Sequence, residues 1–293
     1  MKLFDFARKK ASSLFEAAQQ LESDGKIDDA IAAYLKAIDF EPNNPVLYYN
    51  LGLIYKYRRE WLKSFEFNQK AHALDSDDEA ACWNLGIAAT ALRNWTVARH
   101  TWQEFGIVIE EGEGPIAMDF GMSPIRLNPD EGGEVVWAQR LDPARARIEN
   151  IPFLETDFHY GDVVLNDGAP VGYRMLNERE YPVFNALELF ESSPYSTGIV
   201  LVEVDSDGDL DILEKSFSAT QSHFEDWTRN TRMLCRACSE GRPHEQHDHD
   251  GSAEWSNERR LGIAIYPGDD IRQILTQWQA ISKGRIVSFE DSF

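Results

Sequence analysis

Cysteine is scarce, at three in 293 residues. That is too few for a disulfide scaffold and points to a reducing compartment. Long apolar runs are missing as well, and no stretch approaches the roughly 18 uncharged residues of a membrane span. Positive charge is short: 29 Lys+Arg stand against 50 Asp+Glu, a net of 29 − 50 = −21. Nucleic-acid phosphates are held by Lys and Arg, so direct binding of DNA or RNA is disfavoured. An acidic surface favours basic partners instead, such as a nucleic-acid-binding protein or a basic toxin. Catalytic signatures are also lacking. There is no Gly-x-Ser-x-Gly elbow, no phosphate-binding Gly-rich loop and no His-Glu-x-x-His. The start, Met1-Lys-Leu-Phe-Asp-Phe-Ala-Arg-Lys-Lys10, has neither the order nor the length of a secretory signal. The expectation is a soluble, cytoplasmic protein without enzymatic activity.

Apolar residues make up 43% of the chain, with eight Trp, ten Tyr and 16 Phe, ample for a packed core. The length fits about two domains of roughly 150 residues each. The first part repeats with a period of 34: Ala11, Pro45 and Glu79 align, and Ala17, Leu51 and Leu85 fall in register with them. Further rows are Ala18, Gly52 and Gly86; Ala30, Ser64 and Ala98; and Ala37, Ala71 and Phe105. Tyr34 and Trp102 share a row with Asn68, and Pro42 closes the first unit. Asp24-Gly25-Lys26 and Arg93-Asn94 supply turn chemistry between paired helical stretches. Asn43 and Asn44 break one unit from the next, and Pro45 suits a first helical turn.

The pattern resembles the tetratricopeptide repeat family, in which small residues let two antiparallel helices approach and large ones fill the gaps. The resemblance implies an α-helical solenoid of three repeats, stabilised by stacking. It also implies a concave groove lined by the first helix of each unit. The fifth residues there are Phe15, Tyr49 and Trp83, and the ninth are Gln19, Leu53 and Ile87. Phe15, Tyr49, Leu53, Trp83 and Ile87 would suit an amphipathic helix or apolar peptide laid in the groove. The same row would equally be covered by the chain's own C-terminal part or by residues 3–6. Co-chaperones of this family hold a C-terminal carboxylate with Lys, Arg and Asn. The matching places here are Phe15, Gln19, Asn50, Ala80 and Asn84, of which only Asn50 fits.

Past Phe105 the helical pattern stops, and Glu110-Glu-Gly-Glu-Gly-Pro115 reads as a linker. The predicted organisation is a repeat domain over 1–106, a linker over 107–115 and an acidic α+β domain over 116–293. Residues 1–106 hold 13 basic and 15 acidic side chains, net −2, whereas residues 107–293 hold 16 and 35, net −19. Alternating or β-branched runs predict strands at 135–141, 162–165, 199–204, 261–266 and 286–289, with shorter ones near 145–151 and 171–174. Asp205-Ser-Asp-Gly-Asp209 reads as a hairpin turn towards 210–215, and as a poor calcium loop. Helices are predicted over 222–235 and 271–281. The stretch Glu149-Asn-Ile-Pro152 with Tyr160-Gly-Asp162 resembles small β-barrel domains of uncharacterised bacterial proteins.

The sharpest local cluster is Cys235-Arg-Ala-Cys238, followed by His244, His247 and His249. Zinc takes four tetrahedral thiolate and imidazole ligands, so Cys235, Cys238 and two of the histidines would close a structural site. An unliganded polar loop and a redox pair are the competing readings, the last weakened because the pair ends a predicted helix. His72, His100, His159 and His223 read as isolated, and Cys82 as a small core residue.

Together these features predict a non-enzymatic protein-binding protein. The acidic second domain resembles bacterial immunity-type proteins, which implies neutralisation of a basic toxin or effector. A scaffold joining two partners, or a zinc-dependent hydrolase with repeats that recruit substrate, are the alternatives.

Overall fold

The computed structural model describes residues 2–131, 133–176, 179–228 and 256–291. The chain divides into two compact units, residues 1–118 with 142–144, and residues 119–141 with 145–293.

The first unit is six helices: α1 (Lys2–Ser23), α2 (Ile27–Phe40), α3 (Pro45–Tyr57), α4 (Trp61–Leu74), α5 (Glu79–Ala91) and α6 (Trp95–Glu104). Helices α2, α4 and α6 start at 27, 61 and 95, and α3 and α5 at 45 and 79, so the sequence period is the structural period. Asn44 caps α3 by accepting from Val46 N, and Asp78 caps α5 by accepting from Ala80 N and Ala81 N. The turns inside the three pairs share one backbone solution. Gly25, Arg59 and Arg93 are all left-handed, at φ 74°, 58° and 56°. In each, a six-residue bond closes the helix end: Lys26 N to Leu21 O, Glu60 N to Tyr55 O and Asn94 N to Ala89 O, at 2.8–2.9 Å. Within a pair, the small row meets the large row. A Cβ added at Gly52 would lie 2.5 Å from Asn68, and one at Gly86 would lie 2.4 Å from the Trp102 ring. Asn68 and Ser64 are buried polar residues, and Asn68 Nδ2 donates to Ser64 O while Ser64 Oγ donates to Gly52 O.

The second unit opens with a closed five-stranded barrel, β1 (Met122–Arg126), β2 (Val135–Arg140), β3 (Arg145–Ile148), β4 (Val163–Leu176) and β5 (Arg179–Glu191). Neighbours are antiparallel except β1 and β5, which close the barrel in parallel. Its interior holds Ile125, Val136, Ile148 and Val164. A four-stranded antiparallel sheet follows, in the order β7 (His223–Asp226), β8 (Glu258–Ile265), β6 (Ser196–Glu203) and β9 (Arg285–Asp291). Val200, Val202 and Val204 of the β6 stretch and Leu261, Ile263 and Ile265 of β8 alternate onto one face, as period-two patterning requires. Helices α7 (Asp207–Phe217) and α8 (Ile271–Ile281) cover that face with Leu213, Phe217, Ile274 and Trp278.

Two expectations are corrected. The hairpin towards 210–215 is helix α7, because the Asp209 carboxylate reaches back to accept from Asp205 N and Ser206 N at 3.1 and 3.2 Å. The same Ser/Asp chemistry that makes turns also caps helices. The helix predicted over 222–235 begins instead as edge strand β7, paired with β8 from His223↔Ala264 to Asp226↔Leu261. Its helical spacing misled because Phe224 and Trp227 enter different cores.

Barrel and sheet join at Glu149-Asn-Ile-Pro152. Asn150 accepts from Trp137 N at 2.7 Å and donates to Glu225 Oε1 at 2.7 Å, while Ile151 receives Trp227 Nε1 at its carbonyl, 3.1 Å away. Glu225 also accepts from Ile151 N, and Glu134 accepts from Phe153 N at 2.9 Å. Burial, with Glu225 and Glu155 nearby, pushes the Glu134 carboxyl up to about 7, and burial raises Glu225 as well.

Two predictions follow from these geometries. Arg59 holds a left-handed backbone at a cost of about 1–2 kcal/mol that glycine escapes, less its own chain entropy. Arg59→Gly is therefore expected to stabilise the chain by about 0.5–1 kcal/mol in urea unfolding. Glu134 has a folded pKa above its unfolded value, so its favourable contribution is full below about pH 4.5 and lost as pH rises through about 7. Wild type should lose up to about 3 kcal/mol relative to Glu134→Gln between pH 5 and 8, in parallel unfolding titrations.

Candidate functional site

The first helix of each pair presents the groove residues: Phe15 on α1, Tyr49 and Leu53 on α3, and Trp83 and Ile87 on α5. The row is sunken. Phe15 is partly buried and packs edge-on against Tyr34, ring centroids 5.9 Å apart. Trp83 is wedged between Trp102 at 5.0 Å and Phe105 at 4.9 Å, both edge-on. Tyr49 and Leu53 are partly buried, and Ile87 is completely so. Ile87 thus offers no surface to a partner, contrary to its place in the predicted row. Residues 3–6 are part of α1 itself.

Asn50, Lys56 and Asn84 are committed to the repeats. Asn50 Nδ2 donates to Val46 O at 2.7 Å. Lys56 is buried on α3 and donates through Nζ to Asn84 Oδ1 on α5 at 3.0 Å, tying one repeat to the next. Sequence reasoning missed this pair; its only signal is a lysine set between Tyr55 and Tyr57 inside an apolar helix.

The residues Cys235, Cys238, His244, His247 and His249 lie outside the described residues. Among the described residues, the structure assembles a cluster that the sequence left scattered. His72, Cys82 and Glu104 place one ligand atom each within 4.8 Å of one another. His72 Nε2 is 3.4 Å and His100 Nε2 3.3 Å from the Glu104 carboxylate. Neither His72 nor His100 is isolated: His72 meets Glu104 from 32 residues away in sequence (104 − 72 = 32), and His100 lies one turn from it on α6. Cys82 is buried as expected, and burial with the nearby Glu104 and Asp78 carboxylates raises its thiol pKa. Of the other two, His159 Nδ1 lies 2.9 Å from Thr197 Oγ1, and the His223 ring lies tilted against Tyr160, centroids 5.0 Å apart.

Because Trp83 fills the gap between Trp102 and Phe105, its truncation acts first on the fold. Trp83→Ala is expected to destabilise the chain by about 3 kcal/mol in urea unfolding, before any effect on a partner is counted.

A family model for the TPR repeat matches residues 20–56. The chain is similar to the first TPR of Spaghetti (RPAP3), solved bound to the HSP90 peptide SRMEEVD, with 29% identity over 33% of this chain and 76% of that one, at a TM-score of 0.31. The second TPR of the same protein, bound to the same peptide, is 20% identical over 36% and 95% of the two chains, with a TM-score of 0.34. The Sgt2 TPR domain from Aspergillus fumigatus is 20% identical over 32% and 62%, with a TM-score of 0.30. Among the described residues no helix is long and apolar enough to cross a membrane. The chain carries TPR-type helical repeats in its first part, followed by a strand-rich region.

Proposed function

We propose that this protein works by holding another protein and performs no chemical turnover. The observation that carries the reading is the division of charge: net −2 over residues 1–106 against −19 over 107–293. Part of that excess is displayed on α7, where Asp207, Asp211 and Glu214 are exposed at helical spacing. Charge gathered on one part of a surface steers an oppositely charged partner and speeds encounter. The half-buried Phe15, Tyr49 and Leu53 supply apolar contact within the repeats. The partner is therefore a basic protein, and blunting a basic toxin or effector is the role this chemistry serves best. A second reading, an adaptor that holds two ligands, is favoured by the presence of two compact units.

The full chain, used as bait in extract of its own source cells, is expected to retain one basic protein in a one-to-one complex. Raising salt from low to near-molar should weaken that complex at least about tenfold. Reversing Asp207, Asp211 and Glu214 to Lys should slow association by a similar factor. Two ligands bound at once would favour the adaptor. Turnover of a small molecule by the purified chain, or retention of partners without positive charge and without salt dependence, would overturn the proposal.

A further inference from the structure

Three helix ends converge in the last two repeats. His72 sits in the final turn of α4, Cys82 in the first turn of α5, and Glu104 is the last residue of α6. Antiparallel packing brings these ends to one place, and the three candidate ligand atoms lie within 4.8 Å of one another. An open pocket of about 490 Å³ adjoins them, lined also by Ser76, Asp77 and Phe105.

The hydrogen bonding inside the cluster is poor. His72 Nε2 faces Glu104 at 3.4 Å, longer than the 2.7–2.9 Å or so of a charge-assisted bond. Its other ring nitrogen, Nδ1, is buried without a hydrogen-bond partner among the described residues. The Cys82 thiol reaches only Thr101 O, at 3.9 Å. Glu104 also stands at the negative end of its own helix, where a carboxylate is electrostatically misplaced. His72 Nε2, the thiol and the carboxylate are thus each left without a strong hydrogen bond.

We propose that His72, Cys82 and Glu104 bind a divalent transition-metal ion, with zinc as the fitting class. Imidazole, thiolate and carboxylate are the three ligand types zinc accepts, at about 2.0–2.3 Å. Two ligands at about 2.05 Å on a tetrahedron stand roughly 3.4 Å apart, which is the observed distance from His72 Nε2 to Glu104 Oε2. The double positive charge offsets the thiolate and the misplaced carboxylate together. The fourth position faces the pocket, where water completes the tetrahedron. Such an ion clips α4, α5 and α6 to one another and so fixes the end of the repeat stack. The thiol of this site is that of Cys82.

The sequence permits a clean test, because replacing Cys235 and Cys238 by Ser leaves Cys82 as the only thiol. Cobalt(II) added to that full-length double variant should raise a thiolate-to-cobalt charge-transfer band at one equivalent. Cys82→Ser in the same background should abolish the band. His72→Ala and Glu104→Gln should each weaken cobalt binding by about tenfold or more. A natively folded double variant with no band under excess cobalt overturns the proposal, as does a band indifferent to His72→Ala and Glu104→Gln. Should the double variant fail to fold, alkylation of the wild-type chain with peptide mapping decides the matter. Zinc at a hundred times its dissociation constant should slow modification of Cys82 about a hundredfold, since only the metal-free fraction reacts. Unprotected Cys82 in the folded chain overturns the proposal equally.

Discussion

The contact on which the repeat unit depends is the close approach of the two helices in each pair, where a residue without bulk faces one that fills the gap. Gly52 lies against Asn68 and Gly86 against Trp102, with room for no side chain between them. Ala18 and Tyr34, fully buried in the first pair, occupy the same two rows. Close-packed interiors tolerate no slack of even a methylene, so these rows set the interhelical distance and thereby the register of every later helix. The left-handed turns at 25, 59 and 93 obey the same demand. Two helices held this close must reverse within three residues, and the chain accepts strain at two arginines to do so.

The second unit is organised by buried polar groups at its seam. Glu225, Glu134 and the indole of Trp227 satisfy backbone groups of Ile151 and Phe153 where barrel meets sheet, and the Asn150 side chain bridges Trp137 N and Glu225. Gly262 completes the joint, since a Cβ there would lie 2.1 Å from the Trp227 ring. Burial raises the cost of ionising both carboxylates, and the Glu225 charge adds to it at Glu134, which makes the joint responsive to pH near neutrality. Structure and electrostatics here are one feature.

Legibility in the chain followed the range of the physics. The repeats were readable because small and large residues recur at a fixed period. The strands at 135–140 and 196–203, and the one at 163–176 as two stretches, 162–165 and 171–174, were readable because β-branched and apolar patterning is a local property. Asp205 to Asp209 misled because turn and helix cap use the same side-chain hydrogen bonds, and only the core-facing Leu213 and Phe217 decide between them. Residues 223–226 misled because an edge strand needs a partner strand that no local window contains. Of the groove residues, Phe15, Tyr49, Leu53 and Trp83 retain surface, Trp83 while packed against Trp102 and Phe105, whereas Ile87 is fully buried.

What the amino-acid sequence determined by itself is the helical repeat, its period and turns, and the sharp inequality of charge between the two parts, because each is written in residue size and type at short range. The tertiary structure alone decided that Ile87 is sealed away, that Lys56 reaches Asn84, and that His72, Cys82 and Glu104 stand together. These residues belong to different helices, and only antiparallel stacking carries positions tens of residues apart to within a few ångströms.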